Sequence, residues 1–88
     1  MIFCVQGRAS EAPKPPQTQP QRRNFIVAID SEHAGFARET AKQVLIKAGY
    51  NFITVSRVLR AGPDVQDPAL AEIVDQARRN GIGIAIYR

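Results

Sequence analysis

None of the side chains in the run Phe25-Ile26-Val27-Ala28-Ile29 is polar. A strand with one solvent-exposed face shows alternating apolar and polar residues, whereas an uninterrupted apolar run is typical of a strand that is buried on both faces. Polar residues bound the run on each side. We therefore predict that the first strand of the folded domain lies here.

The segment after this strand changes to helical spacing. Residues 36–48 place apolar side chains at helical intervals, with charged residues available for the solvent side, and Gly49 supplies a C-terminal stop. Residues 51–56 are rich in aromatic and β-branched side chains, which favour a strand. The sequence thus predicts a first helix followed by a second strand.

A second helix is indicated by local signals at both of its ends. Asp67 is a good N-cap residue, and Pro68 suits the first helical position because its missing N–H costs nothing there. Asn80-Gly81 ends the helix, and residues 82–87 form a third apolar strand. Strands that alternate with helices at these spacings predict an α/β fold with a parallel sheet and right-handed crossovers.

The N-terminal segment has a different composition from the rest of the chain. Four prolines stand among glutamines in residues 1–24, which predicts a disordered Pro/Gln-rich tail ahead of a single folded domain over residues 25–88. Four basic residues and one acidic residue give the tail +3 of the net charge of +4, so the folded part is nearly neutral. We therefore predict no nucleic-acid partner.

The cysteine content and the hydropathy bear on the compartment. Cys4 is the sole cysteine, so an intrachain disulfide and a cysteine-based metal cluster are excluded. The apolar run from Met1 to Val5 is much shorter than the ~20 residues of a membrane-spanning helix. We expect a cytoplasmic protein with no membrane partner.

Candidate site residues follow the first strand, in the segment Asp30-Ser31-Glu32-His33-Ala34-Gly35. Ligands of open α/β sheets gather at the carboxyl ends of the strands, and a helix N-terminus there attracts phosphate. His33 can carry a proton, and Gly35 leaves the backbone open to a close ligand. Asp30, Glu32 and His33 are also metal-ligand types, but no second cluster accompanies them and we predict no metal site.

The string Ser31-Glu32-His33-Ala34-Gly35-Phe36 is similar to the opening signature of the ribose-5-phosphate isomerase B and galactose-6-phosphate isomerase family. The similarity continues through Ala48-Gly49-Tyr50 and Leu70-Ala71-Glu72-Ile73-Val74, and covers roughly residues 25–88. This resemblance implies the N-terminal half of a sugar-phosphate isomerase, with a three-layer Rossmann-like βαβαβ fold that is truncated.

The resemblance also implies a chemistry and a set of partners. Family members interconvert aldose and ketose phosphates through an enediol, without a cofactor, in a homodimer whose active site uses residues from both subunits. Glu32 occupies the position of an aspartate that contacts the sugar near its ring oxygen and hydroxyls, and His33 that of a histidine that holds the substrate near its phosphate. We expect substrate binding by Glu32, His33 and Gly35, and pairing as a homodimer or with a full-length paralogue.

This chain departs from the family pattern in three ways. Glu32 replaces an aspartate, and Gln66-Asp67-Pro68 stands where the family has Asp-Tyr-Pro. The position of the catalytic base falls on Ala85, which cannot move a proton, or beyond Arg88. We therefore expect a truncated family member that is inactive alone. The alternatives are a non-catalytic module that binds a sugar phosphate or another anion, and a gene-model fragment without a stable fold.

Overall fold

The computed structural model describes residues 1–13, 15, 16, 18–62 and 67–87. Two helices and four strands follow one another within them. In chain order these are β1 (Ile2–Glu11), β2 (Gln21–Asp30), α1 (Ala34–Lys47), β3 (Tyr50–Arg60), α2 (Pro68–Asn80) and β4 (Ile82–Tyr87).

The four strands form one sheet in the order β3-β1-β2-β4, and every neighbouring pair is antiparallel. The predicted Rossmann-like βαβαβ fold with a parallel sheet is therefore wrong. The physical reason is β1, which lies between β2 and β3 and separates the two strands that a crossover helix would otherwise make neighbours. Strands β2 and β3 run in the same direction, since each is antiparallel to β1, but they share no hydrogen bonds in the ladder.

The segment predicted as a disordered tail over residues 1–24 contains a central strand of the sheet. β1 pairs with β2 from Ile2 opposite Asp30 to Glu11 opposite Gln21. Its side chains are among the most buried in the described part of the chain, and Val5 is 0% exposed. The prolines lie in the connection between the two strands, where a missing backbone N–H removes no ladder hydrogen bond.

The two helices cover opposite faces of the sheet. α1 contributes Ala37, Ala41 and Leu45 to a core that contains alternate residues of β2, Phe25, Val27 and Ile29. α2 contributes Ile73, Val74 and Ala77 to a second core, which contains Ala28 of β2 and Cys4 of β1. Burial on both sides explains why residues 25–29 lack a polar face.

The predictions that rest on local signals are confirmed. The Asp67 carboxylate accepts hydrogen bonds from the N–H groups of Ala69 at 2.9 Å and Leu70 at 3.4 Å, and α2 begins at Pro68. Gly81 ends this helix in the left-handed conformation with φ 87°, and β4 follows over residues 82–87. The sequence Gly62-Pro63-Asp64 also predicts a loop between β3 and α2, but from position 63 this prediction falls outside the described residues.

β3 is an irregular edge strand. Its register against β1 shifts between Gln6 and Gly7 and again between Arg8 and Ser10. Phe52 has φ 50° and is 80% exposed. Its carbonyl accepts a hydrogen bond of 2.6 Å from Arg22 Nη1, which also donates to Ser10 Oγ at 3.1 Å.

We expect Phe52→Gly to raise the free energy of unfolding by about 0.5–1 kcal/mol, because glycine adopts this left-handed backbone without the steric cost that a Cβ brings. Little packing is lost, since the ring is exposed. Urea denaturation measures the change. The matched control is Phe36→Gly, an exposed phenylalanine in α1, where the same substitution should lower stability by about 0.5 kcal/mol. Equal losses in both variants would contradict a left-handed Phe52.

Candidate anion-binding turn

The turn from β2 into α1, residues 31–36, holds the residues that the sequence singled out. Two hydrogen bonds of the Ser31 side chain stabilise the backbone of this turn. The Ser31 hydroxyl donates to the His33 carbonyl at 3.1 Å, and the His33 N–H donates to Ser31 Oγ at 3.3 Å. The Ser31 N–H donates to the Met1 carbonyl at 2.8 Å. The start of β1 therefore supports the turn, a role that the sequence did not reveal because residues 1–24 were predicted to be disordered.

His33 is the N-cap residue of α1, with an extended backbone at φ −134° and ψ 138°. Its side chain makes no capping hydrogen bond, and its ring lies 5.6 Å from the ring of Phe36 at an interplanar angle of 54°. Both rings are exposed. The imidazole is thus held beside the helix start by a ring contact, with its nitrogens accessible to a ligand.

The first turn of α1 presents backbone N–H groups at the same place. The Ala37 N–H donates to the His33 carbonyl at 3.1 Å, which begins the helical ladder. The N–H groups of Ala34, Gly35 and Phe36 precede that bond and point out of the helix end, where the macrodipole is positive. A Cβ at Gly35 would meet no atom within 4 Å, so the space over this residue is open.

Two carboxylates flank the turn and differ in their surroundings. Asp30 Oδ1 lies 3.2 Å from the amino group of Met1, so this side chain is engaged in an ion pair. Glu32 is exposed beside His33. Of the two carboxylates, Glu32 is therefore the one for which the described residues provide no ion pair.

The structure brings Glu32, His33 and Gly35 together but places Ala85 elsewhere. β4 runs antiparallel to β2, so Ala85 lies opposite Ile26, four residues along β2 from Asp30. At ~3.4 Å per residue this is roughly 13 Å along the strand from the end that carries the turn. In a parallel sheet, β4 would run toward the turn of residues 31–36 instead of away from it. Ala85, one of the two positions that the resemblance gives for the family's base, packs against the core that α2 covers.

Cys4 lies in β1 rather than in a tail, and it is buried. Burial raises the pKa of its thiol, so it remains protonated at neutral pH and is a poor nucleophile. No group of three or more His, Cys, Asp or Glu side chains that could hold a metal occurs among the described residues. Within the same part of the chain, neither helix is long and apolar enough to cross a membrane.

A shallow basic cleft of about 360 Å³ opens on the sheet face that carries α2, and sequence reasoning missed it. Arg8 and Arg57 line it together with Asn24 and Tyr87, and Arg8 Nε donates to Asn24 Oδ1 at 3.2 Å. These residues come from four different strands. Only the order of the strands brings them together, so no local pattern in the sequence could have indicated the cleft.

The comparisons with known proteins assign no family to this arrangement: no family model, curated protein or solved structure matches the chain. The similarity of residues 31–36 to the isomerase signature therefore stays a prediction.

Proposed function

We propose that this protein is a non-catalytic module that binds a sugar phosphate at the turn of residues 31–36. The observation that carries the proposal is the start of α1, where N–H groups outside the helical ladder and the exposed imidazole of His33 meet at one place. Helix N-termini bind phosphate groups because their N–H groups and their dipole both favour negative charge.

The neighbouring residues support a sugar phosphate as the ligand class. Gly35 leaves room for a phosphate to approach the backbone. His33 adds a donor that strengthens the contact when the ring is protonated. Glu32 supplies a carboxylate that accepts hydrogen bonds from sugar hydroxyls next to the phosphate. The first turn of α1 contains no acidic residue that would compete for its N–H groups.

Binding without turnover is favoured over isomerisation by the position of Ala85. An aldose–ketose isomerase needs a group that removes a proton from the sugar carbon, and general acid–base groups contribute ~10²- to 10⁴-fold in rate. Alanine has no such group, and because β4 is antiparallel to β2, it runs away from residues 31–36. The predicted kinship with sugar-phosphate isomerases supports the ligand class but not the reaction.

We expect His33→Ala to weaken the binding of ribose 5-phosphate by about tenfold, because the loss of one charge-assisted hydrogen bond costs ~1.5 kcal/mol. Isothermal titration calorimetry of the purified chain measures the dissociation constant. The matched control is Gln43→Ala, an exposed residue further along the same helix, which should bind as the unaltered chain does. Ribose without its phosphate should not bind.

Two further outcomes decide the proposal. Absence of ribose 5-phosphate binding to the unaltered chain, or equal affinity in His33→Ala and Gln43→Ala, would refute the site. Conversion of ribose 5-phosphate into ribulose 5-phosphate by the purified chain, lost in His33→Ala, would refute the non-catalytic part. Gly35→Val offers a second probe, since its side chain would fill the open space over the N–H groups, and it should also weaken binding.

A further inference from the structure

β4 is an edge strand, and its outward backbone groups can be identified from the register. The Asp30 N–H donates to the Gly81 carbonyl at 3.0 Å, and Ile29 lies opposite Ile82. Along an antiparallel pair, successive residues direct their N–H and C=O groups alternately toward and away from the neighbouring strand. The backbone groups of Gly83 and Ala85 therefore point toward β2, as those of Gly81 do. Ile82, Ile84 and Ile86 therefore direct their N–H and C=O groups away from the sheet.

The side chains of these three isoleucines lie on one face of the strand, the face that carries α1. Ile82 and Ile86 pack at the margin of the core beneath α1. α1 packs over β3, β1 and β2 and leaves this edge uncovered, so Ile84 is 38% exposed. Within the described part of the chain, β4 thus offers an apolar stripe beside a row of backbone groups without a strand partner.

The two edges of the sheet differ in how they are protected. β3 carries Arg57 and Arg60, two register shifts and a left-handed residue at Phe52. Charges and bulges of this kind prevent an edge from pairing with another chain. β4 is a regular strand without a charge, a proline or a bulge over residues 82–87. Among the described strands, the sheet is therefore open to extension at the β4 edge and protected at the β3 edge.

We propose that β4 is the interface between two copies of this chain, which pair antiparallel about Ile84 to form one continuous sheet of eight strands. A twofold pairing must match outward-facing residues with outward-facing residues. Only a pairing centred on Ile84 gives all three outward-facing isoleucines a partner. In that pairing Ile84 lies opposite Ile84 of the partner subunit, and Ile82 lies opposite Ile86 of the partner subunit. A pairing centred on Ile82 or Ile86 would leave most of the outward groups without a partner.

The same register makes the apolar surfaces complementary. The three isoleucines of each copy lie on the same face, so pairing joins them into one stripe between the two α1 helices. No charged side chain within residues 82–87 enters the pairing. A second copy satisfies the hydrogen bonds and the apolar stripe at once. The proposal does not rest on the turn of residues 31–36, so the two proposals can fail separately.

The oligomeric state tests the proposal. Size-exclusion chromatography with light scattering should give twice the 9.7 kDa chain mass for the unaltered protein, and the single-chain mass for Ile84→Lys, because two like charges would lie directly opposite each other. The matched control is Leu59→Lys, which places the same charge at a 46% exposed leucine of β3 and should leave the dimer intact. A monomeric unaltered protein would overturn the proposal, as would a dimer that Leu59→Lys dissociates and Ile84→Lys does not.

A cross-linking experiment tests the register itself. Residues directly opposite in a hydrogen-bonded antiparallel pair have Cα atoms about 5.5 Å apart, within reach of a disulfide. Ile84→Cys should therefore cross-link two copies on mild oxidation. Ile86→Cys should not, because its counterpart would lie roughly four residues away along the strand. Native Cys4 is buried and does not compete. Cross-linking of Ile86→Cys with none of Ile84→Cys would refute the pairing about Ile84.

Discussion

Gly83→Ala is expected to destabilise the protein by about 3 kcal/mol, because a single added methyl group would enter the backbone of α2. A Cβ on Gly83 would overlap the carbonyl oxygen of Ile73 and would lie 2.9 Å from its carbonyl carbon. Backbone atoms in the middle of a helix cannot rotate away as a side chain does. Overpacking of this kind forces whole elements to shift.

A loss of this size is a large fraction of the total stability of a domain of 88 residues, which is typically ~4–13 kcal/mol. Urea denaturation followed by circular dichroism measures it. Gly62→Ala is the matched control, because a Cβ at Gly62 would meet nothing within 4 Å and the change should stay within ~0.5 kcal/mol. If Gly83→Ala were as stable as Gly62→Ala, α2 could not pack against β4 as described.

Val5→Asp is expected to abolish cooperative folding. Val5 lies in a central strand, opposite Val27 of β2 and Val58 of β3, and it is fully buried in the core beneath α1. A carboxylate at this position would have only apolar neighbours across the ladder, and an uncompensated buried charge costs ~3–5 kcal/mol. The thermal transition seen by circular dichroism should disappear.

The matched control for this experiment is Ala12→Asp. Ala12 is exposed just after the end of β1, so the same substitution there should leave the thermal transition within a few degrees of that of the unaltered protein. The pair of variants discriminates between a central strand and a disordered tail. A cooperative transition in Val5→Asp at the temperature of Ala12→Asp would show that residues 2–11 are not part of the sheet.

Both helices and three of the four strands could be predicted because their signals are local. The N-cap at Asp67 and the left-handed stop at Gly81 act through neighbouring backbone groups, and the structure confirms both. The apolar run of residues 25–29 required burial on two faces, and it is buried on two faces. Signals of this kind act over a few residues and do not depend on which strands become neighbours.

β1 could not be predicted in the same way, because its partners are remote in sequence. Its apolar residues 2–5 are followed by Gln6, Gly7 and Arg8, a pattern too short and mixed to indicate a strand by itself. The prolines that follow suggested disorder, but they belong to a connection between strands. What identifies β1 is its ladder with β2 on one side and β3 on the other.

The candidate site also contains residues that the sequence was sufficient to place, whereas other positions depended on how the strands pair. Ser31, Glu32, His33 and Gly35 are contiguous, so the sequence alone was sufficient to place them together at the end of a strand and the start of a helix. The direction of β4 could not be predicted from the sequence, because it depends on hydrogen bonding with β2, which is remote in sequence. Hydrogen bonding between remote strands therefore decided that Ala85 lies away from the turn, that Arg8 and Arg57 share a cleft, and that Ile84 lies on an open edge.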